Sequence, residues 1–220
     1  MAIQSVKSIV DNCLGKTGTL SVKQDVLGVY ANDNPQTRSL KARLDLIETK
    51  PFVRVAIVTI QGATPGLQLD LDNANLVYLN ECNHWVYCQN SITVNQPNLL
   101  FLNQNDCIGG IFHSVSDEED QLFDLGRGLG VDIVAYYING DSGGNAGCAA
   151  HPDGRRGFWV GTTTSSFAFA HELTHILLGG GHEQNSNNLM FANTSFTNPP
   201  PNLTDRQCNQ IGNDRDIESC

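Results

Sequence analysis

The sequence predicts an α+β domain, because segments typical of strands alternate with segments typical of helices along most of the chain. The runs FVRVAIVTI (52–60) and VDIVAYYI (131–138) are rich in β-branched residues and have the length of buried strands. Glycine and other turn-forming residues follow each run, as is typical where a strand ends. At 220 residues the chain is long enough for one sizeable core, so we expect a single domain, with or without an appendage.

The next segments continue this alternation. LDLDNANLVYLNEC (69–82) spaces its apolar residues in a way that suits a helix. SITVNQPNLLFL (91–102) predicts one or two strands interrupted at Pro97, because proline cannot donate a hydrogen bond to a neighbouring strand. FWVGTTT (158–164) predicts a strand that leads into the helix containing HELTH, and LTDRQCNQIG (203–212) predicts a short closing helix.

An acidic cluster in SDEEDQLFDLG (116–126) predicts the start of another helix. Ser116 is a candidate N-cap, and Glu119 follows three residues later, which is the spacing of a capping box. Acidic side chains in a first turn also interact favourably with the helix dipole. We therefore interpret Asp117 to Asp120 as a solvated first turn and not as a metal site.

Charge and hydropathy exclude several classes of partner. Lys and Arg number 13 against 23 Asp and Glu, and the net charge of −10 argues against nucleic acid or an anionic membrane as the main partner. No apolar run approaches the roughly 20 residues of a membrane span. The start MAIQSVKSIVDNC lacks the features of a signal peptide, and we interpret residues 1–51 as an N-terminal extension, a prosegment-like region or a linker remnant.

Seven cysteines favour disulfide bonds, and hence a secreted or otherwise extracytoplasmic protein, since none of them forms a CxxC pair typical of zinc or redox sites. Cys82 and Cys88 are close enough in sequence to close a short loop, and Cys208 and Cys220 can staple the tail, while other connectivities stay open. The alternative is a set of buried, reduced cysteines that act as small hydrophobic residues. The seven are Cys13, Cys82, Cys88, Cys107, Cys148, Cys208 and Cys220.

HELTHILLGGGH (171–182) carries the residues on which the predicted chemistry depends. Because an α-helix turns about 100° per residue, His171 and His175 lie on one face, where both imidazoles can reach one ion. Glu172 lies to one side, where its carboxylate can contact a reacting water molecule without itself being a ligand. Zinc suits these nitrogen ligands, and a catalytic zinc site keeps a fourth position for water.

The third protein ligand must come from outside this helix. Gly179 to Gly181 predict that the helix ends there, because glycine tolerates the left-handed conformation that reverses the chain. His182 follows directly, where a reversed chain can return it to the metal. HExxH followed by such a turn and a further histidine is a specific combination, which disfavours the alternative of unrelated surface histidines.

HELTHILLGGGH followed by NNLM (187–190) resembles the metzincin superfamily of zinc endopeptidases, whose motif HExxHxxGxxH precedes a methionine turn beneath the metal. Met190 stands where that Met-turn would fall. The sequence from 131 to 175 is similar to the reprolysin-like bacterial branch, in which an edge strand near a Gly-Cys pair precedes the active-site helix. The resemblance implies a metzincin-like zincin fold for residues 52–220, with a mixed twisted sheet, an active-site helix and a glycine turn.

The turn contains one residue more than the metzincin motif. Leu178 occupies the position of the motif's glycine, and Gly181 occupies that of its third histidine. Three consecutive glycines can absorb the extra residue by bulging the turn. We therefore expect His182 as the third ligand, with the neighbouring Glu183 as the alternative oxygen ligand.

The resemblance implies a zinc-dependent endopeptidase that acts as a monomer on a protein or peptide substrate. Zinc would activate the water that attacks the peptide bond, with Glu172 as the general base. Metzincins bind substrate as an extra strand on a sheet edge, which here would be Gly147, Cys148 and Ala149. The alternatives are a non-metzincin zinc hydrolase that uses Glu183, a non-enzymatic binding module, and a protease-type domain delivered as part of a larger toxin.

Overall fold

The computed structural model describes residues 50–104, 107, 114–162, 166–193, 196 and 198–219. Val53–Ile217 form one compact unit. The second unit combines Met1–Phe52 with Glu218–Cys220, and few of its residues are among those that the structure describes. The predicted extension, residues 1–51, lies outside the described residues except for its last two, and its boundary at residue 52 stays a prediction. None of the described helices is long and apolar enough to cross a membrane.

The described strands form one mixed sheet and one small parallel pair. Their bounds are β1 (Phe52–Ile60), β2 (Trp85–Val94), β3 (Phe101–Leu102), β4 (Ile133–Ile138), β5 (Gly140–Asp141), β6 (Gly147–Cys148), β7 (Gly157–Gly161) and β8 (Ile217–Glu218). The mixed sheet has the order β2, β1, β4, β7, β6, and β8 pairs with β1 outside that order. β4 is parallel to both β1 and β7, whereas β6 is antiparallel to β7, and β3 pairs with β5. These pairings confirm the predicted α+β fold with a mixed sheet.

Helices lie where the sequence predicts them. Their bounds are α1 (Leu67–Val77), α2 (Asp117–Asp124), α3 (Ala168–Leu178) and α4 (Asp205–Gly212). A π-helical turn, Tyr78–Cys82, continues α1, and a 3-10 turn, Pro97–Leu99, separates β2 from β3 at the predicted interruption. α4 begins with a capping box, in which Thr204 accepts from the Gln207 amide and the Gln207 side chain reaches back to Thr204.

The sheet is buried on both faces, because alternate residues of its strands enter two different hydrophobic clusters. Val55 and Ile57 of β1 belong to a cluster that also contains buried residues of α1, α3 and α4. Ala56 and Val58 of the same strand belong to a cluster that contains Leu122 and Phe123 of α2. α3 therefore lies on the sheet face that α1 and α4 also cover, opposite α2.

One acidic residue in the first turn of α2 is buried, whereas the sequence predicted that the whole turn is solvated. The helix begins as predicted, and the Ser116 hydroxyl accepts a hydrogen bond from the Glu119 amide at 3.2 Å. The prediction of a solvated first turn is wrong for Glu119, whose exposure is 1%. Its Oε1 accepts a hydrogen bond from Trp159 Nε1 at 2.6 Å, and this donor in the sheet replaces part of the lost hydration.

The disulfide pairing also differs from the pairs suggested by sequence proximity. Cys82 of the π-helical turn is bonded to Cys208 of α4, and Cys107 is bonded to Cys148 of β6. The suggested pairs Cys82 with Cys88 and Cys208 with Cys220 are therefore wrong, because the fold brings together cysteines that are 126 residues apart. Cys88 takes part in neither bond, and Cys13 and Cys220 lie outside the described residues.

Candidate metal centre

α3 supplies the first two histidines of the candidate site. Its sequence AFAHELTHILL contains no glycine or proline, and every residue from Ala168 to Leu177 is buried. A helix buried on all sides is held by its packing, which fixes the side chains that it carries. His171 and His175 stand one turn apart, and their Nε2 atoms are 3.0 Å apart.

The glycine turn brings a third histidine to the same place. Gly179, Gly180 and Gly181 have φ values of 72°, 110° and 91°, which favour glycine because it lacks a Cβ atom. The first two of these glycines donate their amide hydrogens to His175 O, which ends the helix. The chain then places His182 Nε2 3.1 Å from His175 Nε2. The glycine turn thus returns the chain to α3 and places His182 beside His175.

The tautomer of His171 is fixed by a backbone contact. Its Nδ1–H donates a hydrogen bond to Leu189 O at 2.6 Å, so the lone pair lies on Nε2. In metal sites, a hydrogen bond donated by the ring nitrogen that does not bind the metal typically orients the imidazole. Leu189 itself is fully buried, so its carbonyl is shielded from competing water.

The three imidazoles fit a zinc ion by geometry and donor type. One ligand nitrogen from each of His171, His175 and His182 lies within 4.8 Å of the others. Two nitrogens bound to zinc at 2.0–2.1 Å with tetrahedral angles are separated by roughly 3.3 Å. The observed Nε2 separations of 3.0 and 3.1 Å differ from that value by a few tenths of an ångström. These nitrogens therefore suit a tetrahedral metal ion that leaves one position open.

Burial keeps the three imidazoles neutral, as metal ligands must be. It lowers the pKa of His171 to about 4, although the hydrogen bond to Leu189 O offsets part of this effect. It lowers the pKa of His175 to about 2, with further lowering by the other two histidines. The pKa of the more exposed His182 is lowered by burial as well.

Glu172 lies in a space that depends on the absence of a side chain at Gly147. The exposure of Glu172 is 6%, and burial raises the pKa of its carboxyl group to about 8. A Cβ atom added to Gly147 would lie 2.7 Å from Glu172 Cγ and 3.0 Å from its Oε1. The backbone of β6 therefore packs directly against the carboxylate that follows His171 in sequence.

The three residues predicted as a substrate-binding edge lie at one end of the strand order. Gly147 pairs with Val160 and Cys148 pairs with Trp159, both in β7. The disulfide from Cys107 holds Cys148. Ala149 follows β6 and is buried. Because β6 is the last strand in that order, one of its edges has no strand partner among the described residues.

Met190 belongs to a buried turn that is tied to both the histidine loop and α4. The Met190 side chain is fully buried, and its amide donates to Asn188 Oδ1 at 2.9 Å. Asn188 and Gln207 of α4 exchange two amide hydrogen bonds, of 2.9 and 3.2 Å. Glu183 N donates to Met190 O at 2.8 Å, so this turn is also bound to the residue after His182.

Glu183, the alternative third ligand, does not belong to the group of converging ligand atoms found in the described part of the chain. Its backbone instead forms a bridge with Phe191. The geometry thus favours His182 over Glu183.

Several features of this site have no local sequence signal. Three contacts join segments that are separated in sequence: His171 with the Leu189 carbonyl, Glu172 with Gly147, and Asn188 with Gln207. The position of NNLM after HELTH predicts a turn near the metal, but it does not predict that the Leu189 carbonyl accepts from His171.

No protein-family model and no curated protein matches this sequence. Among solved structures, metalloproteinase-II from Bacteroides fragilis matches with a TM-score of 0.51 at 14% identity, covering 74% of this chain and 53% of that chain. This chain has a zincin-like metallopeptidase fold. This chain thus spans about half the length of the Bacteroides protein. Archaemetzincin from Methanopyrus kandleri matches with a TM-score of 0.46 at 18% identity, over 73% of this chain and 93% of that chain.

Proposed function

We propose that this chain is a zinc-dependent endopeptidase of the reprolysin-like branch of the metzincins. The observation that carries the proposal is the convergence of ligand nitrogens from His171 and His175 of α3 and from His182 after the glycine turn, beside the buried Glu172 of the same helix. The zincin-like fold supports it, because the Bacteroides protein that shares this fold is a metalloproteinase.

In this proposal the three imidazoles hold zinc, and Glu172 is the general base. Zinc, when bound, polarises a peptide carbonyl and lowers the pKa of a water molecule toward about 7. Glu172 accepts a proton from the attacking water and returns it to the leaving amine as the C–N bond breaks. Burial raises the pKa of Glu172 to about 8. A bound zinc ion would lower this pKa, and the two opposed effects would suit a group that both accepts and donates a proton near neutral pH.

The proposed substrate is a polypeptide that pairs with the outer edge of β6. Backbone groups of Gly147, Cys148 and Ala149 would bind it by β-augmentation. The contact between Gly147 and the Glu172 side chain supports this placement, because it puts the edge strand beside the proposed base. The two disulfides support an extracytoplasmic location, where such bonds persist.

The zinc-loaded protein should cleave internal bonds of an unfolded protein substrate, and E172Q should remove that activity. General-base catalysis contributes about 10²- to 10⁴-fold, so we expect E172Q to lower kcat by at least about 100-fold with unchanged zinc content. E183Q is the matched control and should retain activity. Equal cleavage by E172Q and the unmodified protein, measured by mass spectrometry of the products, would reject the proposal.

The identity of the third ligand is tested by zinc affinity. We expect H182A to raise the zinc dissociation constant by more than about 100-fold, since loss of even an outer-shell partner costs 10- to 100-fold. E183A should change it by less than about threefold. The reverse order, measured by competition with a chelator, would assign the ligand role to Glu183.

A further inference from the structure

The carboxyl-terminal end of α3 depends on partners from other parts of the chain. The last four carbonyl groups of an α-helix have no donor within the helix. In α3, His175 O accepts from two amides of the glycine turn. Ile176 O accepts from Arg156 Nη2 at 2.6 Å, and Leu178 O accepts from Gln210 Nε2 at 2.7 Å. Arg156 therefore binds the residue that directly follows the second histidine.

The Arg156 guanidinium is held in a fixed orientation by two carboxylates. Its two terminal nitrogens donate to the two carboxylate oxygens of Asp214, at 2.9 and 2.8 Å, and Nη1 also donates to Asp216. The side chains of Arg156, Asp214 and Asp216 are only 11%, 14% and 6% exposed. A bidentate pair shielded from water in this way is geometrically specific.

The position of Arg156 in the fold connects three elements. It directly precedes β7, and its backbone carbonyl accepts from Val134 N of β4 at 3.2 Å. Its side chain reaches from the sheet to α3 and to the segment after α4 that carries Asp214. It also lines an open cavity of about 900 Å³ that borders His175. A rigid contact between the sheet and the end of α3 thus passes through this one side chain.

We propose that Arg156 is a positioning residue that fixes the last turn of α3 and, through it, the relative placement of His175 and His182. This inference rests on the proposed metal site. A cation at the carboxyl-terminal end of a helix interacts favourably with its dipole, and the last turn of α3 contains no lysine or arginine of its own. Arg156 supplies that charge from outside and satisfies Ile176 O. Its loss leaves the glycine turn, and the imidazoles on either side of it, free to sample other positions.

Arg155 provides a matched control for the test. It neighbours Arg156 in sequence and also pairs with two carboxylates, those of Asp120 and Asp124. Its further hydrogen bond goes to Asp120 O of α2, on the opposite side of the sheet from α3. R155M and R156M each remove an arginine that pairs with two carboxylates, but only R156M removes a bond to α3. The carboxylates paired with Arg155 are 49% and 47% exposed, whereas those paired with Arg156 are 14% and 6% exposed, so the buried pair needs the further variant described below.

The experiment measures the zinc dissociation constant of the full chain by chelator competition. We expect R156M to raise it by about tenfold or more, as loss of outer-shell partners does, and R155M to change it by less than about threefold. A third variant, R156M/D214N/D216N, leaves no buried unpaired carboxylate and should show the same loss of affinity as R156M. Equal constants for R155M and R156M, or an unchanged constant in folded R156M, would overturn the proposal.

Hydrogen exchange in the metal-free protein gives a readout that does not depend on zinc. The amides of Gly179 and Gly180, which donate to His175 O, should exchange at least about tenfold faster in R156M than in R155M. Equal exchange in the two variants would also overturn the inference. If the unmodified protein binds zinc but cleaves nothing, the proposed function fails while the affinity comparison still decides the role of Arg156. If it binds no zinc, the hydrogen-exchange comparison decides whether Arg156 fixes the last turn of α3.

Discussion

At the level of single residues, Gly147 shapes the site by having no side chain. Any Cβ at this position would lie within 3.0 Å of two Glu172 atoms and of the Trp159 carbonyl oxygen. Contacts that short do not occur between packed atoms, so one neighbour must move. Displacement of the Glu172 side chain would relieve two of these contacts, whereas the contact with Trp159 O, a backbone atom, also requires β6 to shift relative to β7.

The substitution G147A should therefore impair catalysis without removing the metal. We expect kcat to fall by at least about tenfold, because a displaced base loses part of the 10²- to 10⁴-fold that proton transfer contributes. Zinc content, measured by atomic absorption, should stay the same. G66A is a suitable control, because a Cβ at Gly66 meets only ordinary contacts of 3.5 Å or more. Full activity of G147A would show that Glu172 does not need its present position.

The proposed ligands and base on α3 were predictable from their spacing, but the residues that orient them were not. His171, Glu172 and His175 occur within five residues, so helical geometry alone places them together. The carbonyl that orients His171 comes from Leu189, and the residue that leaves room for Glu172 comes from β6. No local pattern encodes contacts between segments so far apart.

Among the elements, the glycine turn decides where His182 lies. Gly179 has φ 72° and ψ 26°, within the left-handed region that other residues sometimes occupy. Gly180 has φ 110°, which lies outside that region and is strained for any residue with a Cβ atom. The two positions therefore differ in how strictly they require glycine.

The variant G180A should weaken zinc binding more than G179A does. Alanine at position 180 adds strain of about 1–3 kcal/mol, which the turn can relieve by moving His182 away from the metal. We expect the zinc dissociation constant to rise at least about tenfold in G180A and less than about threefold in G179A. Titration of both variants with a competing chelator measures this, and equal constants would mean that the turn does not position His182.

The strands of the sheet were predictable where they are long and apolar. β1 has the predicted bounds, since all but one of its nine residues from Phe52 to Ile60 are buried or nearly so and β-branched residues dominate. β2 begins at Trp85, earlier than the predicted residue 91, and its first residues, Trp85 and Val86, are an aromatic and a β-branched residue buried in the fold, as is typical of strands. β6 has only two residues, so its position depends on pairing with β7 and not on its own composition.

For the molecule as a whole, the disulfide between Cys82 and Cys208 closes a long stretch of chain. The two residues are 126 positions apart, and they join the π-helical turn after α1 to α4. Sequence proximity suggested other pairs, because the spacing of cysteines along the chain does not predict that α4 packs near α1. The pairing follows from the packing of α1, α3 and α4 on one face of the sheet.

The double variant C82S/C208S should have a markedly lower free energy of unfolding. A bond that closes a loop of this length removes enough entropy from the unfolded chain to stabilise the fold by about 4–5 kcal/mol in the chain-entropy model. Denaturant unfolding of the metal-free protein measures the change. C88S is the control, because Cys88 takes part in neither described disulfide. A loss of less than about 1 kcal/mol in C82S/C208S would contradict this role.

The most direct test of the zinc site is an anomalous-scattering map, recorded at the zinc absorption edge from crystals of the zinc-loaded protein. The three converging imidazoles predict a single strong peak about 2.0–2.1 Å from the Nε2 atoms of His171, His175 and His182. The absence of a peak at these nitrogens, or a peak bound by Glu183 in place of His182, would contradict it.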